Sequence, residues 1–286
     1  MRRLRISAIS YLNTAPLMWD FEYGSAGSAF EITYTVPSRC ADALAAGTAD
    51  IGIIPVAAYA TVPGLVILPG VAIATRRAVR SILLVSKFPV EKIRTIALDT
   101  SSRTSVALIK VLCARFWRSE PEFCSMPPVL DEMLQAHDAG LLIGDPALRV
   151  DRSHYITYDL AEEWHRFTSK PFVFAFWAVR EAALQEADAS LDLAQIFTAS
   201  RDRGLHPENL AHIARHWSSR VGLSEDEVRT YLTQHIHHFL DDACLEGLEL
   251  FYQYARVIGA LPAAPPLRFL EVSPSRRHES FKHAHV

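Results

Sequence analysis

The sequence predicts an α/β protein of two lobes with a helical C-terminal part. Three observations carry this. Short apolar runs alternate with helical patterns from Leu4 to Val179, the strand–helix grammar of α/β domains. Two strongly apolar strands, residues 81–86 and 172–179, bracket a middle set of such units. Beyond Arg180 only helical periodicity remains. Together they give a discontinuous first lobe (residues 1–85 and 176–286), a second lobe (residues 86–175) and two crossover strands. A cleft between lobes joined in this way suits a small ligand and hinge closure.

The elements follow in chain order. Leu4, Ile6 and Ala8 point one way and Arg5, Ser7 and Ile9 the other, so residues 4–9 form a strand. A polar turn follows at residues 10–14, and Ala15-Pro16-Leu17-Met18-Trp19 starts a helix, because Pro is tolerated in the first turn. Tyr11, Asn13 and Thr14 therefore reach the C-terminal edge of a sheet beside a helix N-terminus, where α/β proteins bind ligands and anions. From spacing alone, plain capping of that helix by Asn13 and Thr14 is the simpler reading. Residues 30–36 read as a second strand, 39–46 as a helix stopped by Gly47, and 49–55 as a buried parallel strand.

Apolar runs at 65–68 and 71–74 lead to the strand 81–86, and residues 95–99 begin a new unit. Its polar turn, 100–105, opens a helix whose core stripe is Val106, Ile109, Leu112 or Cys113, and Phe116, with Ser102 as N-cap. Thr104 and Ser105 fall in its first turn and serve either as anion donors or as capping residues. Residues 139–144 are a strand ending in the sharp turn Gly144-Asp145-Pro146, where glycine permits backbone to approach a ligand. The run 172–179 is apolar on both faces, so it is central or crosses between lobes. Helices are expected over 183–200, 207–217, 224–239 and 241–258, with a mobile polar tail over 273–286.

Composition narrows the function. The net charge of −3 gives no warrant for nucleic acid or an anionic membrane surface. The four cysteines are scattered without a C-x-x-C pair, which argues against zinc and against a disulfide framework. The apolar run after Met1-Arg2-Arg3 is too short for a signal peptide, and no stretch reaches the ~20 apolar residues of a membrane span. A cytoplasmic protein is expected. Gln234-His235-Ile236-His237-His238 places His235 and His238 on one face of an expected helix, but without the carboxylate of H-E-x-x-H; a solvated face is the simpler reading, and no metal is expected. Arg76, Arg77 and Arg80 read as solvated loop charges.

Ser10-Tyr11-Leu12-Asn13-Thr14-Ala15-Pro16-Leu17 resembles the opening motif of the chorismate dehydratase family of the futalosine route to menaquinone. The resemblance continues in order through residues 49–56, 81–86, 102–105, 142–148 and 171–177, over about the first two thirds of the chain. It implies a fold like the type II periplasmic binding proteins, a dianionic substrate (chorismate), loss of water to give 3-[(1-carboxyvinyl)oxy]benzoate, and no cofactor. It also implies roles. Asn13 is the first catalytic candidate, donating an amide N–H to the leaving hydroxyl or orienting a carboxylate; an amide cannot be a strong base. Ser86 is the second, at a strand end where the lobes should meet. Tyr11, Thr14, Thr104, Ser105, Gly144 and Asp145 are the substrate-binding candidates. No general base stands out, so a carboxylate of the substrate itself is the expected proton acceptor. The rivals are a solute-binding protein of the same fold, a regulator's effector domain, for which no helix-turn-helix precedes Leu4, and the related enzyme that forms 1,4-dihydroxy-6-naphthoate.

Overall fold

In the computed structural model, which describes residues 2–186 and 191–271, two sheets face a shared cleft. Strand β1 (Leu4–Ile9) is drawn inward by Leu4, Ile6 and Ala8 and lies between β2 (Phe30–Thr35) and β3 (Ile51–Pro55), parallel to both. β4 (Leu65–Thr75) joins the two expected runs into one strand through Pro69 and Gly70. The chain then builds a second sheet from β5 (Ile82–Ser86), β6 (Thr95–Asp99), β7 (Glu122–Met126), β8 (Ala139–Ile143) and β9 (Ile156–Asp159). It returns through β10 (Phe172–Arg180), which inserts antiparallel between β3 and β4, and β11 (His237–Leu240), which edges β4. The strand orders are β11-β4-β10-β3-β1-β2 and β7-β6-β8-β5-β9.

The two apolar strands are not crossovers. β5 is flanked on both sides by β8 and β9, and β10 by β3 and β4. Each is apolar on both faces because it is an inner strand of its own sheet. The chain changes sheet at residues 76–81 and again over 160–171, rather than at the boundaries 85/86 and 175/176. Phe172, Phe176 and Trp177 of β10 are buried in a continuous core that also takes in Trp164, Phe197 and Phe251; burying one such side chain contributes about 1.5–3 kcal/mol.

The C-terminal part is helical except for β11. The helices Pro207–Val221 and Asp242–Val257 match the expected periodicity, whereas the single helix expected over 183–200 is interrupted at residues 191–192, between the helices Glu181–Glu186 and Leu193–Gly204. The helix expected over 224–239 starts as read, with Ser224 and Glu227 forming a capping box, but ends at Thr230. A π-helical turn, Tyr231–His235, then feeds β11. His235 and His238 therefore share no helix face. The expected tail, 273–286, lies outside the described residues. Among the described residues no helix is long and apolar enough to cross a membrane.

At the sheet edge opposite the cleft, Asp50 ties three strands together. Its carboxylate takes Arg2 Nη1 at 2.6 Å, Arg5 Nε at 3.0 Å and the Arg5 N–H at 2.9 Å, while its own N–H donates to the Arg5 carbonyl and its carbonyl accepts from the Arg180 N–H. Burial opposes ionisation, but the hydrogen bonds from Arg5 and Arg2 outweigh it and hold the carboxyl well below the usual carboxylate range. A folded-state pKa lowered in this way stabilises the protein above the unfolded value and loses that contribution as pH falls through the folded one. Asp50→Asn should cost about 2 kcal/mol in urea unfolding near neutrality, discounted for the half-exposed arginines. It should also flatten the loss of stability below roughly pH 4. An unchanged midpoint and acid limb would remove Asp50 from this role.

Candidate active site

The expected turn after β1 is a 3₁₀-helix, Leu12–Met18, held down by the buried Leu12, Leu17 and Met18. It starts earlier than the periodicity suggested, and Tyr11 occupies the N-cap without a side-chain capping bond. Asn13 and Thr14 thus lie inside the first turn and do not cap it. The helix Leu193–Gly204 backs this turn: Ser200 Oγ donates to the Leu17 carbonyl at 2.8 Å and accepts from the Asp20 N–H at 3.0 Å. Gly204 allows the approach, since a Cβ there would stand 1.9 Å from the Pro16 carbonyl oxygen.

The turn meets the second sheet at the end of β8. The Leu12 N–H donates to the Asp145 carboxylate at 3.0 Å. The neighbouring Gly144 has φ 62°, and a Cβ on it would lie 2.5 Å from Tyr11 Cδ2, so glycine is required twice over. Burial pushes the Tyr11 phenol up, partly offset by Ser101. Asp145 is also raised by burial, against the Leu12 bond. Asp99 behind it is raised by burial too, although its carboxylate accepts from Ser101 Oγ at 2.5 Å and from the Ser101 and Ile143 N–H groups.

Between the sheets lies a small cavity. Its polar wall is Tyr11, Asn13, Ser102, Thr104, Ser105 and Gly144; its apolar wall includes Ile73, Ile82, Ile143 and Phe174. Tyr11 is the one ionisable side chain in that lining. Ser102, Thr104 and Ser105 sit at the start of the Thr104–Val111 helix, whose N-terminal dipole favours an anion. Asn13 Oδ1 accepts from Thr14 Oγ1 at 3.2 Å, and the Asn13 carbonyl accepts from His238 Nε2 at 3.0 Å. A second, roomier cavity opens on the other side of Tyr11, lined by Thr14, Glu22, Tyr34, Trp217 and Arg220 among others.

A family model described as menaquinone biosynthesis matches residues 4–257. This chain belongs to that menaquinone-biosynthesis family. It is 28% identical to a chorismate dehydratase of Thermus thermophilus, over 93% of this chain and 98% of that one. Among solved structures it is similar to a protein of Archaeoglobus fulgidus, with TM-score 0.67 and 17% identity over 91% of this chain and 98% of the other. It is also similar to the periplasmic aliphatic sulphonate-binding protein of Escherichia coli, with TM-score 0.60 and 16% identity over 95% and 94%. These structural likenesses show the fold, that of the periplasmic binding proteins.

In this family member the structure brings Tyr11, Asn13, Thr104, Ser105 and Gly144 to one cavity. Thr14 faces the second cavity, and Asp145 stands behind the first with its carboxylate engaged by Leu12. Thr104 is more constrained than an open anion donor: its hydroxyl donates to the Phe174 carbonyl at 3.1 Å and accepts from the Ala57 N–H at 3.2 Å. The Ser105 N–H donates to Ser102 Oγ at 3.1 Å, so Ser102 supports the helix start from one residue before the N-cap, Arg103, rather than as the expected N-cap. Ser86 is a correction. β5 runs antiparallel to β8, so Ile82 lies beside Ile143 at the cleft and Ser86 lies beside Ala139 at the far end. Its hydroxyl donates to the Phe88 carbonyl at 2.7 Å and accepts from the Phe88 N–H at 3.0 Å, closing a turn.

The residues that sequence reasoning missed are Ser81, at the cleft end of β5, and Tyr231 and His238 behind Asn13. Tyr231 Oη donates to Ser81 Oγ at 2.8 Å, and the Gly144 N–H donates to the Ser81 carbonyl at 2.8 Å. Ser81 was within the apolar run that was read correctly as a strand; only the strand's direction was missing. The histidine cluster gave the signal for His238 but the wrong element for it. Its neighbours His237, Asp241 and Cys244 place ligand atoms within 4.8 Å of one another. Asp241 there caps the Asp242–Val257 helix through the Cys244 N–H and pairs with Arg76 at 2.8 Å, which accounts for the cluster without a metal.

The glycine requirement gives a direct test. Gly144→Ala forces a strained φ and displaces the Tyr11 ring, so it should cost about 1–3 kcal/mol in chemical denaturation. A variant as stable as the parent would contradict the packing of Tyr11 on Gly144.

Proposed function

We propose that this chain is a chorismate dehydratase, a carbon–oxygen lyase that removes water from chorismate to give 3-[(1-carboxyvinyl)oxy]benzoate in menaquinone biosynthesis, working in the cytoplasm. Family membership and the Thermus thermophilus relative support the reaction. The observation that supports its mechanism is the cavity wall, which combines one amide and several hydroxyls with apolar surface and offers no carboxylate or imidazole.

The elimination takes the proton from the ring carbon that bears the enolpyruvyl ether and the hydroxyl from its neighbour. The C–H electron pair becomes the ring double bond, and hydroxyl leaves with a proton as water. Aromatisation drives the step, so the protein's tasks are to hold one conformation and to stabilise moving charge. Asn13 supplies an amide N–H for the departing hydroxyl. The first turn of the Thr104–Val111 helix, with Ser102 and Ser105, supplies donors for a carboxylate. The proton goes to a carboxylate of the substrate itself, which passes it to the departing hydroxyl to complete the water, because the only ionisable wall residue, Tyr11, is held neutral by burial. The second cavity and Arg220 lie outside this chemistry.

Mixing the purified protein with chorismate and following the products by liquid chromatography with mass detection tests the reaction. The aromatic enolpyruvyl ether should form above the spontaneous rate. A folded protein that returns chorismate unchanged is a binder, and a different product would point to the naphthoate-forming relative. Asn13→Ala should lower kcat about 10²–10³-fold, the cost of removing a donor to developing charge. Ser86→Ala should stay within about twofold of the parent in kcat, since its hydroxyl closes a turn at the end of β5 away from the cavity.

The same wall fixes the pH dependence. Tyr11 is raised above its ordinary value and His238 behind Asn13 is pushed down to about 4, first by burial and against its bond to Asn13. Neither changes charge near neutrality, so kcat should be flat from roughly pH 6 to 9. A limb with an apparent pKa inside that window would reveal a protein acid or base that this account lacks.

A further inference from the structure

We propose that the second cavity is an antechamber of the first, in which Arg220 captures a carboxylate of an incoming ring-shaped anion that then passes Tyr11 to reach the inner site. This rests on the reading of the first cavity as the place of dehydration. Of the residues that line the two spaces, Ile9 and Tyr11 alone line both. Ile9 is the buried end of β1, so the side chain that can move between them is Tyr11. Its ring fills the place of a Gly144 Cβ on the inner side, and the roomier cavity lies on the outer side. A turn of that side chain into the outer space joins the two cavities and enlarges the small inner one. The inner lining holds no cation, although the expected substrate is a dianion. The outer lining holds one, Arg220.

Arg220 is placed for capture rather than for structure. It is exposed in the last turn of the Pro207–Val221 helix, and that helix end is fixed through its backbone, where the Arg220 carbonyl accepts from Arg149 Nη2 at 2.5 Å. Its guanidinium lies over the Trp217 ring, 4.2 Å from the centroid, and among the described residues it forms no ion pair. A guanidinium stacked on an indole keeps its edge N–H groups for a carboxylate, which they meet as a fork. Asp145 feels the charge of Arg220, after the stronger effects of burial and the Leu12 bond, but its carboxylate is bonded to the Leu12 N–H and not to the guanidinium. Trp217, Tyr34 and Met18 give the cavity aromatic and thioether surface for a ring. The one carboxylate in the lining, Glu22, accepts from Tyr34 Oη. Its charge works against Arg220, so the two residues act on anion binding with opposite sign.

The experiment uses the full chain, with benzoate as the probe of ring carboxylates. Binding is read from the ¹⁵N-NMR signal of the Trp217 indole N–H, assigned by its absence from Trp217→Phe. That signal should move saturably in the parent and in Asn13→Ala alike. Arg220→Gln should weaken the binding about fivefold or more, and Glu22→Gln, which keeps an acceptor for Tyr34, should tighten it about twofold, the scale of single charges at part-exposed sites. Steady-state dehydration of chorismate then tests whether the site lies on the way in. Arg220→Gln should lower kcat/KM about fivefold at low salt with kcat within about twofold of the parent, and the deficit should shrink as salt rises. Three results would each overturn the proposal: no saturable movement in the parent, movement lost in Asn13→Ala but kept in Arg220→Gln, or parent-like kcat/KM in Arg220→Gln. If the parent does not dehydrate chorismate, the functional reading fails, and the benzoate titration alone decides capture at Arg220.

Discussion

The hydrogen bond from the Leu12 N–H to the Asp145 carboxylate is the constraint on which the site depends. It ties the exit of β1 to the exit of β8, and so one lobe's ligand loop to the other's. A bond to a charged group of this kind contributes about 1.5–3 kcal/mol, and here it acts with a steric fit. Gly144 has no side chain, so the Tyr11 ring occupies the space a Cβ would take. Asp145 was a candidate substrate ligand, yet its carboxylate is turned to the protein. The consequence is that the cleft is defined by backbone geometry, and the polar groups facing it are neutral.

Neutral walls suit the proposed chemistry. A carboxylate or imidazole beside a dianionic substrate would either repel it or take up the proton that the substrate can hold itself. The hydroxyls and helix N–H groups instead bind anions with fixed dipoles. Part of this donor set is already used. Thr104 bridges the Val56–Tyr59 helix and β10 with both its donor and its acceptor, so it fastens the lobes at the cleft floor. Ser102, Ser105 and Asn13 remain, and the Asn13 carbonyl is held from behind by His238, far away in sequence.

Much of the fold was legible because the signals were local. The alternation at Leu4–Ile9, the apolar runs of β3, β5, β8 and β10, and the capping box at Ser224 each encode their own element. What was not legible depended on long-range pairing. Nothing in residues 81–86 says which end of that strand faces the cleft; only its antiparallel pairing with β8 does, and that moves the interest from Ser86 to Ser81. Residues 172–179 read equally well as a central strand or a crossover, and the flanking β3 and β4 decide for the first. β11 is four residues long and begins with two histidines, so its burial against β4 has no periodic signature. The catalytic reading of Asn13 comes from the resemblance of residues 10–17, since its place after β1 suits capping as well, whereas only the fold links His238 to it.

The central claim is that an amide and the substrate's own carboxylate perform the elimination in a cleft without a protein base. The most direct measurement uses chorismate and its two monomethyl esters, with binding measured by competition and dehydration by mass detection. The account predicts that at least one ester binds yet is not dehydrated, because its proton acceptor has been blocked. Dehydration of both esters at the rate of chorismate would contradict it and require a base in the protein.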